Sequence, residues 1–106
     1  MRKVQLNVKP LSVNEAWQGK RFKTRKYSLF EREMLLKLPA CKTDSCTELF
    51  IRFGFSSKLA DLDNPVKMVL DVLQKKYGFN DRDIFRLTVE KEIVKKGDEY
   101  IYIEIK

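Results

Sequence analysis

The 106-residue chain contains no histidine and only two cysteines, Cys41 and Cys46. Without histidine it lacks the usual base of a serine or cysteine nucleophile, the commonest nitrogen ligand of zinc, and the side chain that titrates near neutrality. Any acid–base or metal chemistry must therefore rest on carboxylates and lysines. One cysteine pair falls short of the four ligands of a structural zinc site. Cys41 and Cys46 read as incidental thiols of a reducing compartment, with a local disulfide as the alternative. No stretch approaches the ~18 apolar residues of a membrane span, and Met1 to Pro10 has no apolar signal-peptide core. A cytoplasmic protein with no membrane partner is expected. Internal repeats, low-complexity tracts and linkers are also missing, and a chain of this length has room for one core, so residues 1–106 form a single domain.

What the chain has in excess is positive charge, with 22 Lys and Arg against 15 Asp and Glu, a net charge of +7. The excess lies in residues 1–53, which hold 12 basic and 5 acidic side chains, whereas residues 54–106 hold 10 of each. Its densest part is Lys20, Arg21, Lys23, Arg25 and Lys26, interleaved with Trp17, Phe22 and Tyr27. Cations neutralise phosphates and release counterions, and aromatic rings stack on unpaired bases, so a polyanion is the natural partner. The competing reading is a solvated loop leading into a helix.

Val4, Leu6 and Val8 alternate with polar residues up to Pro10, which predicts a half-buried strand. Residues 9–23 read as a polar loop. Ser28, with Glu31 three residues on, predicts a helix cap, and the helix runs to about Leu38 before Pro39 with a modest apolar face. Glu48 to Phe55 reads as a central strand. Asn64 as N-cap, Pro65 at the first turn and Gly78 past the end bracket the clearest helix, with Val66, Val69, Leu70, Leu73 and Tyr77 on one face. Ile84 to Val94 and Glu99 to Ile105 read as two strands joined in a hairpin through Gly97. The order is β-α-β-α-β-β, an α+β domain with a mixed sheet packed by two helices.

Candidate chemistry gathers in Asp61-Leu62-Asp63-Asn64-Pro65-Val66-Lys67 and, after the second helix, in Gly78-Phe79-Asn80-Asp81-Arg82-Asp83. In extended backbone Asp61 and Asp63 project to the same side, and Lys67 lies one turn beyond Asp63. Asp81 would join them if the next strand ran alongside 48–55. Crowded carboxylates repel unless a hard cation neutralises them, and an all-oxygen site suits Mg²⁺ or Mn²⁺ with a phosphate oxygen as a further ligand. Such an ion lowers the pKa of bound water and stabilises charge on a phosphodiester, whether one ion or two is used. Lys67 could neutralise the phosphate or assist the leaving group. The competing reading is structural, with acids capping a helix and Gly-Phe-Asn-Asp making a turn.

At these residues the chain resembles the RusA family of Holliday-junction resolvases, small Mg²⁺-dependent endonucleases of bacteria and their phages. The family's Asp-x-Asp-Asn tract with a lysine three residues later corresponds to Asp61, Asp63, Asn64 and Lys67. Gly78, Asn80 and Asp81 are similar to its post-helix acidic turn, and Lys91 to a lysine often present in the next strand. Pro10, Ser12, Val13, Asn14 and Trp17 resemble its opening. The resemblance implies that Asp61, Asp63 and Asp81 bind the metal and that Lys67 is the essential lysine. It further implies a homodimer acting on four-way DNA junctions in recombination and repair, of bacterial or prophage origin; the basic first half would grip the DNA, with Asn14, Lys20, Arg21, Lys23, Arg25 and Lys26 as contacts. Asn80 departs from the second Asp of many members, and Asp83 from a Gln or similar polar residue. A non-catalytic nucleic-acid-binding module is the runner-up, and a structural or phage-assembly protein the third reading.

Overall fold

The computed structural model describes residues 2–11, 17–18, 22–40 and 46–106. Its framework is a four-stranded sheet in the spatial order β1-β6-β4-β5. These strands span Arg2–Leu6 (β1), Glu48–Phe55 (β4), Arg86–Ile93 (β5) and Tyr100–Ile105 (β6). Two helices, Arg25–Lys37 (α1) and Val66–Tyr77 (α2), cover one face, giving the expected mixed α+β architecture. The anticipated loop over 9–23 instead contains two short strands, Trp17–Gln18 (β2) and Phe22–Lys23 (β3), paired antiparallel.

Side-chain alternation builds the core. Leu49, Ile51, Phe53 and Phe55 of β4, Ile101, Ile103 and Ile105 of β6, and Leu6 of β1 are all buried toward the helices. Met68, Val69, Val72, Leu73 and Tyr77 of α2, with Tyr27, Phe30 and Met34 of α1, close over them. The opposite sheet face is polar and aromatic, with the Arg52 guanidinium 5.5 Å and 5.3 Å from the Phe50 and Tyr102 ring centres and its Nε 3.2 Å from Glu90. Gly54 is required there, because a Cβ would collide with the ring of its cross-strand neighbour Tyr100.

The first helix begins earlier than the capping-box pattern indicates. Thr24 is the N-cap, its hydroxyl accepting from the Tyr27 N–H at 3.2 Å, and Ser28 lies inside the first turns. The extra turn brings Tyr27 into the core, so the buried face is larger than expected. Pro65, not Asn64, occupies the N-cap of α2, preceded by a turn in which the Val66 N–H donates to the Asp63 carbonyl at 3.1 Å. Gly78 ends that helix in the left-handed conformation, φ +80°, as its position suggested.

The hairpin of the last two strands does not form. β5 and β6 lie on opposite sides of β4, β5 parallel to it and β6 antiparallel. The turn through Gly97, φ +100°, still closes with the Asp98 N–H on the Lys95 carbonyl at 2.9 Å, but it carries the chain past the end of β4. Inserting β4 between them satisfies both of its backbone edges and buries the most apolar strand at the centre. Cys46 is a buried thiol whose pKa burial pushes up, and Cys41 lies outside the described residues. Among the described residues no helix is long and apolar enough to cross a membrane.

Candidate active site

The β4–α2–β5 crossover positions the candidate acids. β4 ends at Phe55, and residues 56–65 carry Asp61 and Asp63 across to the start of α2. The return through Gly78, the buried Phe79 and a one-turn 3₁₀ helix at Asp81–Asp83 feeds β5. Because β5 runs alongside β4, as the conditional reading of Asp81 required, the side of α2 and the helix-facing side of β5 enclose a groove of about 470 Å³. Asp63, Lys67, Asp71 and Asp81 line it together with Val66, Leu70, Leu87 and Val89. Asp63, Lys67 and Asp81 thus share one surface. Asp61 instead borders a neighbouring depression of about 230 Å³ with Lys9, Ser56, Ser57, Asn64 and Glu99.

The structural reading of these acids accounts for some and not others. Asn80 is a cap, its side chain accepting from the Arg82 N–H at 3.1 Å. The Asp81 backbone N–H is held by Gln74 Oε1 at 3.2 Å, which ties the turn to α2. No side-chain hydrogen bond caps α2, so Asp63 is not spent there. Among the described residues, no ion pair or side-chain hydrogen bond engages the carboxylates of Asp61, Asp63 and Asp81 or the Lys67 ammonium; all four residues are exposed. Asp83 is exposed at the end of the 3₁₀ turn and does not line the groove.

The donor chemistry suits a hard cation, with carboxylate oxygens and no soft ligand in the groove. Among the described residues no three His, Cys, Asp or Glu side chains are grouped so as to hold one ion. The described residues therefore offer carboxylates singly or in pairs, and one or two carboxylates are a common protein share of Mg²⁺ coordination, the remainder being water and substrate phosphate.

Two contacts at the groove were not anticipated from sequence. Lys91, on the helix-facing side of β5, donates to the Ala60 carbonyl at 3.0 Å and so anchors the segment that carries Asp61. Asp71, one turn beyond Lys67 on the same side of α2, accepts from the Tyr27 hydroxyl at 3.4 Å. Its spacing from Lys67 was the available signal. Burial, then the negative charges of Asp71 and Glu31, push the Tyr27 phenol from 10.0 up to about 12. The unfolded chain releases this proton at lower pH than the folded one, so the stability tied to Tyr27 is complete below pH 10 and is lost as pH rises toward 12. Tyr27→Phe should cost about 1 kcal/mol at neutral pH and flatten that part of the alkaline decline, as measured by urea unfolding at pH 9 and pH 11. An unchanged alkaline slope in the variant would assign the decline to other groups.

Of the basic residues singled out as DNA contacts, Arg25 and Lys26 are exposed in the first turn of α1. Lys23 lies in β3, of which only the backbone is described, and Asn14, Lys20 and Arg21 fall outside the described residues.

No curated protein sequence matches the chain. A family model described as endodeoxyribonuclease RusA matches residues 14–106, nearly the whole length and every element of the groove. The chain therefore belongs to the RusA endodeoxyribonuclease family.

Proposed function

We propose that this protein is a Mg²⁺-dependent, structure-selective endonuclease that hydrolyses phosphodiesters at four-way DNA junctions during recombination and repair. The observation that carries this reading is the groove lined together by Asp63, Lys67 and Asp81, whose side chains have no structural partners among the described residues, in a chain of a nuclease family. Carboxylates gathered on one surface beside a lysine suit a hard divalent cation and the phosphate it would carry. Asp63 and Asp81 would hold the cation, with Asp61 beside them on the adjoining surface and Mn²⁺ an acceptable substitute. The bound ion supplies charge stabilisation at the phosphate and a more acidic water. Lys67 places a positive charge on the same surface, where it neutralises the scissile phosphate or the leaving oxygen.

DNA grip falls to the basic half. Arg25 and Lys26 sit at the N-terminus of α1, where the helix dipole disfavours cations and no acidic residue offsets them. A phosphate there would be bound by these two side chains and would offset their charge at the helix end. Cleavage of a synthetic four-way junction, and of linear duplex of the same sequence, tests the proposal. Nicks should appear only with Mg²⁺ or Mn²⁺, vanish with EDTA and favour the junction. Salt-sensitive binding without any cut strand would favour the non-catalytic module instead.

A further inference from the structure

The depression beside the groove differs from it in chemistry. Its floor is apolar, made by the buried Pro10, Phe55 and Pro65, and its rim is polar, with exposed Lys9, Ser56 and Asp61 and half-buried Glu99. At about 230 Å³ it is smaller than the sites of about 300–1,000 Å³ that take drug-sized ligands, and it suits a single flat ring system. Among the described rim residues one lysine stands against two carboxylates, a balance that disfavours a phosphate. The part of a nucleotide left to fit is the base, which has apolar faces and a polar edge. Glu99 is fixed there as an acceptor: its own N–H and that of Gly97, which donates to Oε1 at 2.7 Å, hold the carboxyl below the usual carboxylate range.

A second feature of the same segment is Leu59, 92% exposed and placed between Ser57 and Ala60, both of which line the depression. The turn that presents it is tied down. The Leu59 N–H donates to Ser57 Oγ at 3.2 Å, the Ala60 N–H to the Ser57 carbonyl at 3.3 Å, and Lys91 holds the Ala60 carbonyl at 3.0 Å. A leucine held outward in this way buries almost nothing in the fold. Side chains of this kind act in DNA complexes as wedges that enter a base step and unstack it.

We infer that the depression is a nucleobase subsite: Leu59 enters the stack of the DNA, and the displaced base lies on Pro10, Phe55 and Pro65 with its edge on Glu99. The inference rests on the nuclease reading for DNA as the ligand and for the phosphate in the groove. Asp61 and Asp63, two positions apart, border the depression and the groove respectively, so base and phosphate would belong to neighbouring nucleotides. Extrusion costs least where a base has already lost part of its stack or pairing, as at the exchange point of a junction. A carboxylate accepts hydrogen bonds and donates none, so Glu99 takes a base edge carrying an exocyclic amino group, as in adenine, cytosine or guanine. Thymine instead turns carbonyl oxygens toward it, and the subsite discriminates against thymine.

Four otherwise identical four-way junctions, with A, C, G or T at the nucleotides flanking the exchange point, test the subsite by titration of the full chain in Ca²⁺. The thymine junction should bind about tenfold more weakly than the other three. Glu99→Gln, whose amide also donates, should narrow that gap to about threefold or less. The ratio among junctions is the readout, so a partly unfolded variant does not imitate the result. 2-Aminopurine at the same nucleotides should brighten on binding as it leaves the stack; Ser56→Trp, which fills the depression, and Leu59→Ser, which removes the wedge, should each cut the rise by about half or more. Equal binding of all four junctions, a gap that Glu99→Gln leaves unchanged, or a fluorescence rise that both other variants leave intact overturns the subsite. Junctions bound without regard to base but cut in Mg²⁺ would overturn the subsite and leave the nuclease reading standing. Base-selective binding with no cut strand in Mg²⁺ would do the reverse.

Discussion

Asp63→Asn should reduce junction cleavage by about 10²–10⁴-fold while leaving junction binding equal or tighter. The substitution keeps the size of the side chain but removes the charge that holds a divalent cation. A lost metal interaction of several kcal/mol converts to that range of rate. Binding moves the other way because one negative charge leaves a surface that faces phosphates. Asp63 is exposed and makes no cap to α2, so the fold has little to lose. Single-turnover cleavage and a binding titration in Ca²⁺, both on the same junction, separate the two effects. Nicking at the parental rate would remove Asp63 from the site. Asp61→Asn measured alongside asks whether the carboxylate on the adjoining depression shares the chemistry of the groove.

The largest stability effect is expected in the middle of β4. Phe53 is fully buried in the central strand, its ring 5.6 Å from that of Phe55 and within the single core that joins sheet and helices. Phe53→Ala removes the ring and leaves a void that the surrounding core fills only in part. The cost should be about 3–5 kcal/mol, against about 5–15 kcal/mol for a whole domain. Equilibrium urea unfolding of parent and variant measures it directly, with the m-value checking that the same cooperative unit unfolds. A loss under about 1 kcal/mol would mean that the core at β4 is loosely packed. Because β4 leads into the segment bearing Asp61 and Asp63, cleavage should fall in parallel with the folded fraction.

Much of the candidate site was legible because its signals are local. Asp61, Asp63 and Lys67 lie within seven positions, and the glycine that ends α2 sets where Asp81 follows. The acids' separation into a groove and a neighbouring depression was not legible. In extended backbone Asp61 and Asp63 would share a side, but residues 56–65 fold into bends and turns that turn Asp61 toward Lys9 and Glu99. Asp71 falls on the polar side of α2 with Lys67 by its spacing, but its role was not legible because its partner Tyr27 lies 44 residues away.

Alone, the sequence determined the class of the fold, the extent of β4, the end of α2, the uneven charge and the exclusion of histidine chemistry, all of which follow from nearest-neighbour periodicity and side-chain type. Tertiary structure decided the order of the strands. A glycine turn between two alternating segments describes a hairpin equally well as a strand carried past a third, and local chemistry contains no term that distinguishes them. The difference came from β4, which is apolar enough to occupy the centre and needs partners on both edges. Placing β5 parallel to it created the groove that holds Asp63, Lys67 and Asp81.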